Sequence, residues 1–123
     1  MPGLALHIED NPSNRKAVRH IFRLTDCRLI EAEDGEEGIA RAAAEKPDLI
    51  LLDMQLPGIS GFDVARRLKE ETSTRHIPVV ALTAYALSGD DVKALAAGCD
   101  DYIAKPFRPR ALLDCINKYL GDD

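Results

Sequence analysis

The feature that most constrains this chain is an alternation of five short apolar runs with five segments of helical periodicity. The runs lie at 4–8, 28–32, 48–52, 77–83 and 101–104. The third run is apolar throughout residues 49–52, which is typical of a parallel strand covered on both faces. Strands that alternate with helices predict an α/β fold with right-handed crossovers. We therefore expect a (βα)₅ three-layer sandwich around a five-stranded parallel sheet.

The segments between the runs carry the start and stop signals of helices. Asn11 followed by Pro12 marks a helix start, and Gly98 marks a helix end. The other predicted helices cover 34–46, 61–71, 88–97 and 108–120. The pattern occupies the chain from end to end, so we expect one domain over residues 1–123.

Composition excludes several functional classes. The net charge of −5 argues against non-specific binding to nucleic acids or membranes, because both are polyanionic. Cys27, Cys99 and Cys115 form no C-x-x-C pair, and we interpret them as reduced thiols of a cytoplasmic protein. We find neither a signal peptide nor an apolar run long enough to span a bilayer.

Polar residues follow four of the predicted strands at the point where each strand ends. They are Glu9-Asp10, Asp53, Thr83-Ala84 and Lys105-Pro106. In open α/β sheets, ligands bind outside the carboxyl ends of the strands. We therefore expect three carboxylates, a hydroxyl and a lysine to meet at one edge of the sheet.

Each of these residues also has a purely structural interpretation. Asp10 or Asn11 could cap the following helix. Asp53 could support a turn through an Asx hydrogen bond. Thr83 could be an ordinary strand residue, and Lys105 an exposed lysine. Taken together at matching strand ends, they favour a functional site.

Three adjacent carboxylates with one lysine need a cation or raised pKa values. An all-oxygen cluster without histidine or thiolate suits a hard divalent ion, and Mg²⁺ most readily. Lysine, a hydroxyl and a metal ion stabilise a phosphoryl group in transfer. A carboxylate can accept that group as an aspartyl phosphate, and Asp53 at the end of the central strand is the candidate.

The chain is similar to the receiver domain of bacterial two-component response regulators, of the stand-alone type. The resemblance is carried by Glu9-Asp10, by Asp53 with Pro57 and Gly61, by Thr83-Ala84 and by Lys105-Pro106. It implies a flavodoxin-like sheet of order 2-1-3-4-5. It also implies that a histidine kinase or a histidine phosphotransfer protein transfers a phosphoryl group to Asp53.

The resemblance implies the remaining roles. Mg²⁺ would be held by Asp10, Asp53 and the backbone carbonyl of Gln55, with Glu9 acting mainly through a bound water. Lys105, Thr83 and Ala84 would stabilise the phosphoryl group. Thr83 and Tyr102 would form the switch, and residues 86–120 would present it to an unknown downstream protein. Pro57, Gly61 and Pro106 would be structural, with a cis bond before Pro106.

Some residues depart from the family pattern or tune it. Glu9 replaces the commoner aspartate. His7 interrupts an apolar strand, where we expect a satisfied core or edge histidine. Gln55 and Tyr85 occupy positions that set the lifetime of the phosphorylated state. The stripe Arg15, Arg19 and Arg23 is interpreted as a solvated helix face, with partner docking as the less favoured alternative.

Three other functions stay open on sequence alone. The first is a Mg²⁺-dependent phosphatase with an aspartate nucleophile, although Gln55 stands where such enzymes carry a second aspartate. The second is a flavin module, although the loop at 9–15 is acidic rather than a phosphate cradle. The third is a receiver excised from a hybrid kinase. We expect a signalling domain that is a monomer or weak dimer, rather than an enzyme with separate substrates.

Overall fold

The computed structural model describes residues 3–84 and 89–121 and contains the ten predicted elements. Strands and helices alternate along the whole described chain. They are β1 (Leu4–Ile8), α1 (Pro12–Phe22), β2 (Arg28–Ala32), α2 (Gly35–Glu45), β3 (Leu49–Asp53), α3 (Gly61–Glu70), β4 (Val79–Thr83), α4 (Asp90–Ala96), β5 (Asp101–Ala104) and α5 (Pro109–Leu120).

The five strands form one parallel sheet in the order β2-β1-β3-β4-β5. Both the fold class and the strand order are as predicted. All five residues of β3 are buried, because β1 and β4 flank the strand and helices cover both of its faces. β5 lies at the sheet edge, and its residues alternate between half-buried and exposed. The order reverses between β1 and β3, which places the ligand crevice at their carboxyl ends.

Two hydrophobic cores lie on opposite faces of the sheet. One packs α2, α3 and α4 against the alternate strand residues Leu6, Ile8, Ile50 and Leu52. The other packs α1 and α5 against the intervening residues. Its strand members are Ala5, Leu49, Leu51, Val80 and Leu82. Successive side chains of a strand point to opposite faces, so one sheet supplies both cores. The result is the expected three-layer sandwich.

Local signals explain where several helices begin. The Asn11 carboxamide oxygen accepts hydrogen bonds from the backbone N–H groups of Ser13 and Asn14. Asp34 caps α2 and Ser60 caps α3 in the same way. These side chains satisfy N–H groups that have no partner within the helix.

Three strand boundaries differ from the predictions. β3 begins at Leu49 because Asp48 bonds to Leu4 through both its backbone and its side chain. The backbone N–H of Asp48 donates to the Leu4 carbonyl at 2.7 Å, and the Asp48 carboxylate accepts from the Leu4 N–H at 2.9 Å. β3 extends to Asp53, and the next N–H, that of Met54, still bonds to Leu82. β4 begins at Val79 rather than at 77, because Pro78 has no N–H to donate to the ladder.

The predicted helix 88–97 is observed as Asp90–Ala96, and its first predicted residue lies outside the described part of the chain. Tyr85 also lies outside it, as does the start of the 86–120 face. Within residues 3–84 and 89–121, no helix is long and apolar enough to cross a membrane.

Candidate functional site

The carboxyl ends of four strands bring the predicted polar residues to one edge of the sheet. Glu9 follows β1, Asp53 is the last residue of β3, Thr83 is the last residue of β4, and Lys105 follows β5. The backbone N–H of Lys105 donates to the Thr83 carbonyl at 2.8 Å, which continues the β4–β5 ladder to the lysine. Register, rather than a flexible loop, thus places Lys105 beside the acids.

Three carboxylates form a compact cluster at this edge. Glu9, Asp10 and Asp53 each contribute one carboxylate oxygen, and these oxygens lie within 4.8 Å of one another. Glu9 and Asp53 are buried, whereas Asp10 is exposed. The cluster is therefore deep on one side and open to solvent on the other.

Lys105 is the cation that the structure places against these carboxylates. Its Nζ lies 3.2 Å from Asp53 Oδ1 and 3.3 Å from Glu9 Oε1, and 21% of its side chain is exposed. The interpretation of Lys105 as a freely exposed lysine is therefore wrong. One ammonium group faces three acids, so the site carries surplus negative charge when all three are ionised.

Burial and charge separate the pKa values of the two buried acids. Burial, together with the hydrogen bond and the negative charge of Asp53, raises the pKa of Glu9 to about 7. Burial alone would raise the pKa of Asp53 as well. Hydrogen bonds from Glu9 and the Gln55 N–H, and the charge of Lys105, outweigh burial and hold the pKa of Asp53 below its usual value. Asp53 is thus the acid of this pair that the site keeps ionised.

The turn after Asp53 fixes its position. The Gln55 N–H donates to Asp53 Oδ1 at 3.0 Å, so the predicted Asx hydrogen bond exists alongside the acidic cluster. Further along the turn, a Cβ at Gly61 would lie 2.6 Å from Met54 Cα and 2.7 Å from the Asp53 carbonyl oxygen. Only glycine allows α3 to begin this close to the backbone that carries Asp53.

Asp10 does not cap helix α1. Asn11 supplies the N-cap of α1, as described above, so the choice between Asp10 and Asn11 is resolved in favour of Asn11. Asp10 is left at the exposed side of the acidic cluster.

Arg15 holds the backbone beside the acidic cluster in place, a role that the sequence analysis did not predict. Its Nη1 donates to the Glu9 carbonyl oxygen at 2.9 Å, and only 13% of its side chain is exposed. Arg19 instead pairs through two hydrogen bonds with Glu31, and Arg23 is exposed. The predicted solvated stripe is thus wrong for Arg15. Its position in the first turn of α1, five residues after Asp10, is the signal that could have shown this role.

The acidic cluster fits a hard divalent cation. Its donors are carboxylate oxygens, and the cluster contains neither histidine nor cysteine. The raised pKa of Glu9 is the response expected of a buried acid that lacks sufficient countercharge. Oxygen donors and surplus negative charge together are what Mg²⁺ requires.

The structure also places the remaining predicted residues. Thr83 is buried and Ala84 is exposed. Tyr102 is 38% exposed on the edge strand, and Pro57 lies in the exposed turn before Gly58. The Lys105–Pro106 peptide bond is cis, as the resemblance implied.

Comparisons with known proteins point to one family. The model of the response regulator receiver domain family matches residues 5–117. The polar-differentiation response regulator DivK of Brucella anthropi is 39% identical over 122 residues, which cover 99% of each chain. DivK of Brucella ovis is 40% identical over 115 residues, or 94% of each chain.

Solved structures show the same fold. The receiver domain of a sensor histidine kinase from Pseudomonas aeruginosa PAO1 superposes with a TM-score of 0.91 at 33% identity, covering 99% of this chain and all of its own. That structure holds a magnesium ion coordinated in its active-site cleft. The chemotaxis response regulator CheY4 of Vibrio cholerae gives 0.90 at 25% identity, covering 98% and 100% of the two chains.

These matches favour none of the alternative functions that the sequence left open. Receiver domains signal by phosphorylation. They interact with histidine kinases or phosphotransfer proteins and with downstream target proteins. The fold, the acidic cluster with its lysine and the family match lead to one identification. The chain belongs to the response regulator receiver domain family of two-component signalling.

Proposed function

We propose that Asp53 of this chain accepts a phosphoryl group from a phosphohistidine of a histidine kinase or a histidine phosphotransfer protein. The observation that carries the proposal is the pairing of a buried, low-pKa carboxylate with Lys105 inside the acidic cluster. An Asp53 oxygen attacks phosphorus while the P–N bond to the donor imidazole breaks. The bonding electron pair passes to that nitrogen, which then takes a proton, and the product is an aspartyl phosphate.

Mg²⁺ is the cofactor that this site would use. Asp10, Asp53 and the backbone carbonyl of Gln55 would hold the ion, and Glu9 would act mainly through a bound water. When bound, the ion neutralises negative charge on the phosphoryl oxygens and the carboxylates. The chain's own contribution is to hold Asp53 through the Gln55 N–H and to hold the Glu9 backbone through Arg15.

Lys105 and the end of β4 would stabilise the transferred group. Lys105 Nζ lies between Asp53 and Glu9, which puts it beside the carboxylate that would accept phosphorus. Thr83 would turn its hydroxyl to the phosphoryl group. Ala84 would offer its backbone N–H and leave space for the group, because its side chain is a single methyl. The same groups would support slow hydrolysis, with the exposed side chain of Gln55 close to the reacting carboxylate.

The phosphorylated state would be presented on the surface formed by α4, β5 and α5. Phosphorylation adds about −1.5 to −2 charge at one point, and it biases an equilibrium between two conformations. Movement of Thr83 would draw Tyr102 inward. Val92, Leu95 and Tyr102 are large apolar side chains exposed together on this surface, which supports its use by a protein partner.

The cellular setting follows from the cysteines and the partners. Cys27, Cys99 and Cys115 are free thiols, and burial raises the pKa of both Cys99 and Cys115 to about 11. Unpaired, unreactive thiols suit the reducing cytoplasm. We propose a cytoplasmic monomer or weak dimer that acts on other proteins rather than on nucleic acids or membranes.

Intact mass after incubation with acetyl phosphate tests this function. With Mg²⁺ the wild type should gain the mass of one phosphoryl group, and without Mg²⁺ it should gain almost none. Asp53→Asn should gain none under either condition. Asp63→Asn is the matched control, because Asp63 is exposed on α3 and pairs only with Arg66 among the described residues. An unchanged adduct in Asp53→Asn would overturn the proposal.

A further inference from the structure

The carboxylate of Asp101 joins the edge strand β5 to the last turn of α5. Its Oδ1 accepts a hydrogen bond from the backbone N–H of Tyr102 at 2.9 Å. Its Oδ2 lies 3.1 Å from Lys118 Nζ and accepts from the Tyr119 hydroxyl at 3.3 Å. Both oxygens of this carboxylate therefore have partners, one on the strand and two on the helix.

The Tyr102 N–H points to the open edge of the sheet. Along a strand in a parallel pair, the N–H groups of alternate residues point to the neighbouring strand. The Lys105 N–H donates to the Thr83 carbonyl of β4. The N–H of Tyr102, three residues earlier, therefore points away from β4, and β5 is the last strand of the sheet. Asp101 supplies the acceptor that a further strand would otherwise provide.

Asp101 thus holds the backbone of the residue through which the proposed switch acts. The Tyr102 side chain is 38% exposed in this structure, which is the outward orientation. Turning inward would move the residue that carries the bonded N–H. The bond from Asp101, which is anchored on α5 by its other oxygen, resists that movement.

Charge and exposure set the strength of this connection. Burial alone would raise the pKa of Asp101, but the Tyr102 N–H and Lys118 outweigh burial and hold the pKa below its usual value. The ion pair with Lys118 is partly open to solvent, with 37% of the Asp101 side chain and 63% of the Lys118 side chain exposed. Ion pairs this exposed contribute little, so we expect effects of a few fold rather than of orders of magnitude.

We propose that Asp101 is a positioning residue of the switch, which holds Tyr102 in the outward orientation and passes its movement to the last turn of α5. This inference rests on the proposed function, because the inward movement of Tyr102 is part of that function. When Tyr102 turns inward, its N–H pulls on the Asp101 carboxylate or leaves it. The contacts of that carboxylate with Lys118 and Tyr119 then change, so α5 responds to the state of the strand.

Tyrosine ring resonances in ¹³C-labelled protein test the hold on Tyr102 without phosphorylation. The chain has three tyrosines, so each ring can be assigned, and a neutral gadolinium chelate broadens each ring in proportion to its exposure. In Asp101→Ala the Tyr102 ring should be broadened less, with about two to five times the wild-type ratio of inward to outward orientations. Equal broadening of Tyr102 in Asp101→Ala and in the wild type would overturn the proposal.

Two further variants show whether the effect belongs to the bond rather than to loss of any carboxylate. Asp101→Asn keeps an oxygen that can accept from the Tyr102 N–H, so it should restore most of the wild-type broadening. Asp114→Ala removes an exposed carboxylate of α5 that pairs with Arg110, and it should match the wild type. A change in Asp114→Ala as large as that in Asp101→Ala would overturn the proposal.

Phosphorylation by acetyl phosphate with Mg²⁺ tests the route to α5. In the wild type the Tyr102 ring should become less exposed and the Tyr119 ring resonances should shift. In Asp101→Ala, Tyr119 should shift less than half as far at the same extent of phosphorylation. Intact mass distinguishes the two kinds of failure. Absence of the adduct in the wild type would contradict the proposed function, whereas a full adduct with an equal Tyr119 shift in both proteins would overturn this inference.

Discussion

Two lysine–carboxylate pairs lie at opposite ends of this sheet, and they differ in how far their charges are balanced. At the amino ends of β4 and β5, Lys69 Nζ lies 2.8 Å from Asp100 Oδ2 and also donates to the carbonyls of Arg75 and Ile77. Asp100 Oδ2 in turn accepts from the Val79 N–H at 2.8 Å. At the carboxyl ends, Lys105 is the one described lysine that pairs with the acidic cluster: its Nζ lies near Glu9 and Asp53, and Asp10 adds a third carboxylate.

The difference separates a structural ion pair from a site that is prepared for a ligand. The cluster around Lys69 closes on itself, with one acid for one base and backbone groups for the remaining bonds. The cluster around Lys105 is left with excess negative charge, and burial makes that charge costly. Under the proposed function, Mg²⁺ would offset that cost and would then allow the site to accept an anionic phosphoryl group.

The largest expected effect on stability comes from replacing the glycines that allow close packing at the two ends of the sheet. Gly61→Ala places a Cβ 2.6 Å from Met54 Cα, a backbone atom that cannot yield easily. We expect a loss of about 3 kcal/mol in the free energy of unfolding and slower phosphorylation, because Asp53 shares that backbone. Gly98→Ala, with φ at 110° and Lys69 Cγ 2.9 Å from the new Cβ, should cost stability alone. Urea denaturation and phosphorylation by acetyl phosphate would check both. Equal loss of phosphorylation in the two variants would remove the distinction.

Replacing each lysine in turn should show that Mg²⁺ compensates for a lost lysine at the carboxyl end of the sheet and not at the amino end. Without the metal ion, Lys69→Met and Lys105→Met should each lose about 1 to 3 kcal/mol, because each leaves carboxylates or carbonyls without a partner. Saturating Mg²⁺ should restore most of the loss in Lys105→Met, since a second cation reaches the same acids. Mg²⁺ should not reduce the difference in the free energy of unfolding between Lys69→Met and the wild type. Urea midpoints with Mg²⁺ or EDTA would measure this, and an equal rescue of both variants would contradict it.

The pH dependence of stability should reveal the surplus charge directly. The pKa of Glu9 is raised to about 7 in the folded protein. Its protonated form therefore stabilises the fold at low pH, and that stability is lost as pH rises from the unfolded value near 4.5 through 7. His7, whose pKa burial lowers to about 4, opposes this trend, because it favours the folded state increasingly between pH 4 and 6.5.

Glu9→Gln isolates the contribution of Glu9. In Mg²⁺-free buffer the variant should gain about 1 to 2 kcal/mol relative to the wild type between pH 4.5 and 7. Saturating Mg²⁺ should abolish that gain, because the ionised carboxylates then have a cation. Urea denaturation across this range gives the comparison. A constant difference between the two proteins over the whole range would show that the pKa of Glu9 is not raised.

The smallest expected effect concerns the support behind the acids. Arg15→Gln removes the hydrogen bond to the Glu9 carbonyl and should cost about 1 kcal/mol, with a few-fold weaker response to Mg²⁺. Arg23→Gln, at the exposed position that directly follows α1, should match the wild type in both respects. Thermal unfolding with and without Mg²⁺ distinguishes the two variants. Identical behaviour would place Arg15 outside the support of the site.

Patterns that repeat along the chain were enough to predict the fold and the place of the site. Apolar runs fix the strands, and parallel strands bring their carboxyl ends together, so Glu9, Asp53, Thr83 and Lys105 could be placed at one edge. The strand order came from the family resemblance. The starts of β3 and β4 were less certain, because they depend on the Asp48 carboxylate and on the missing N–H of Pro78, which the hydrophobic pattern does not show.

Contacts that depend on a single side chain were not predictable. Arg15 bonds to a backbone carbonyl, and such acceptors are present at every residue of a sequence. Lys69 meets Asp100 across 31 positions without any local signal. His7 was expected to be a satisfied histidine, yet no group in the described part of the chain bonds to its buried ring, and the pattern of the strand does not show whether a partner is present.

The site of phosphorylation tests the central claim most directly. Borohydride reduces an acyl phosphate to an alcohol, so an aspartyl phosphate becomes homoserine and can be located by peptide mass spectrometry. After treatment with acetyl phosphate and Mg²⁺, we expect homoserine at position 53 and at no other aspartate. Homoserine at position 10, or a phosphoryl adduct that maps to another residue, would contradict the account of the carboxyl-end cluster.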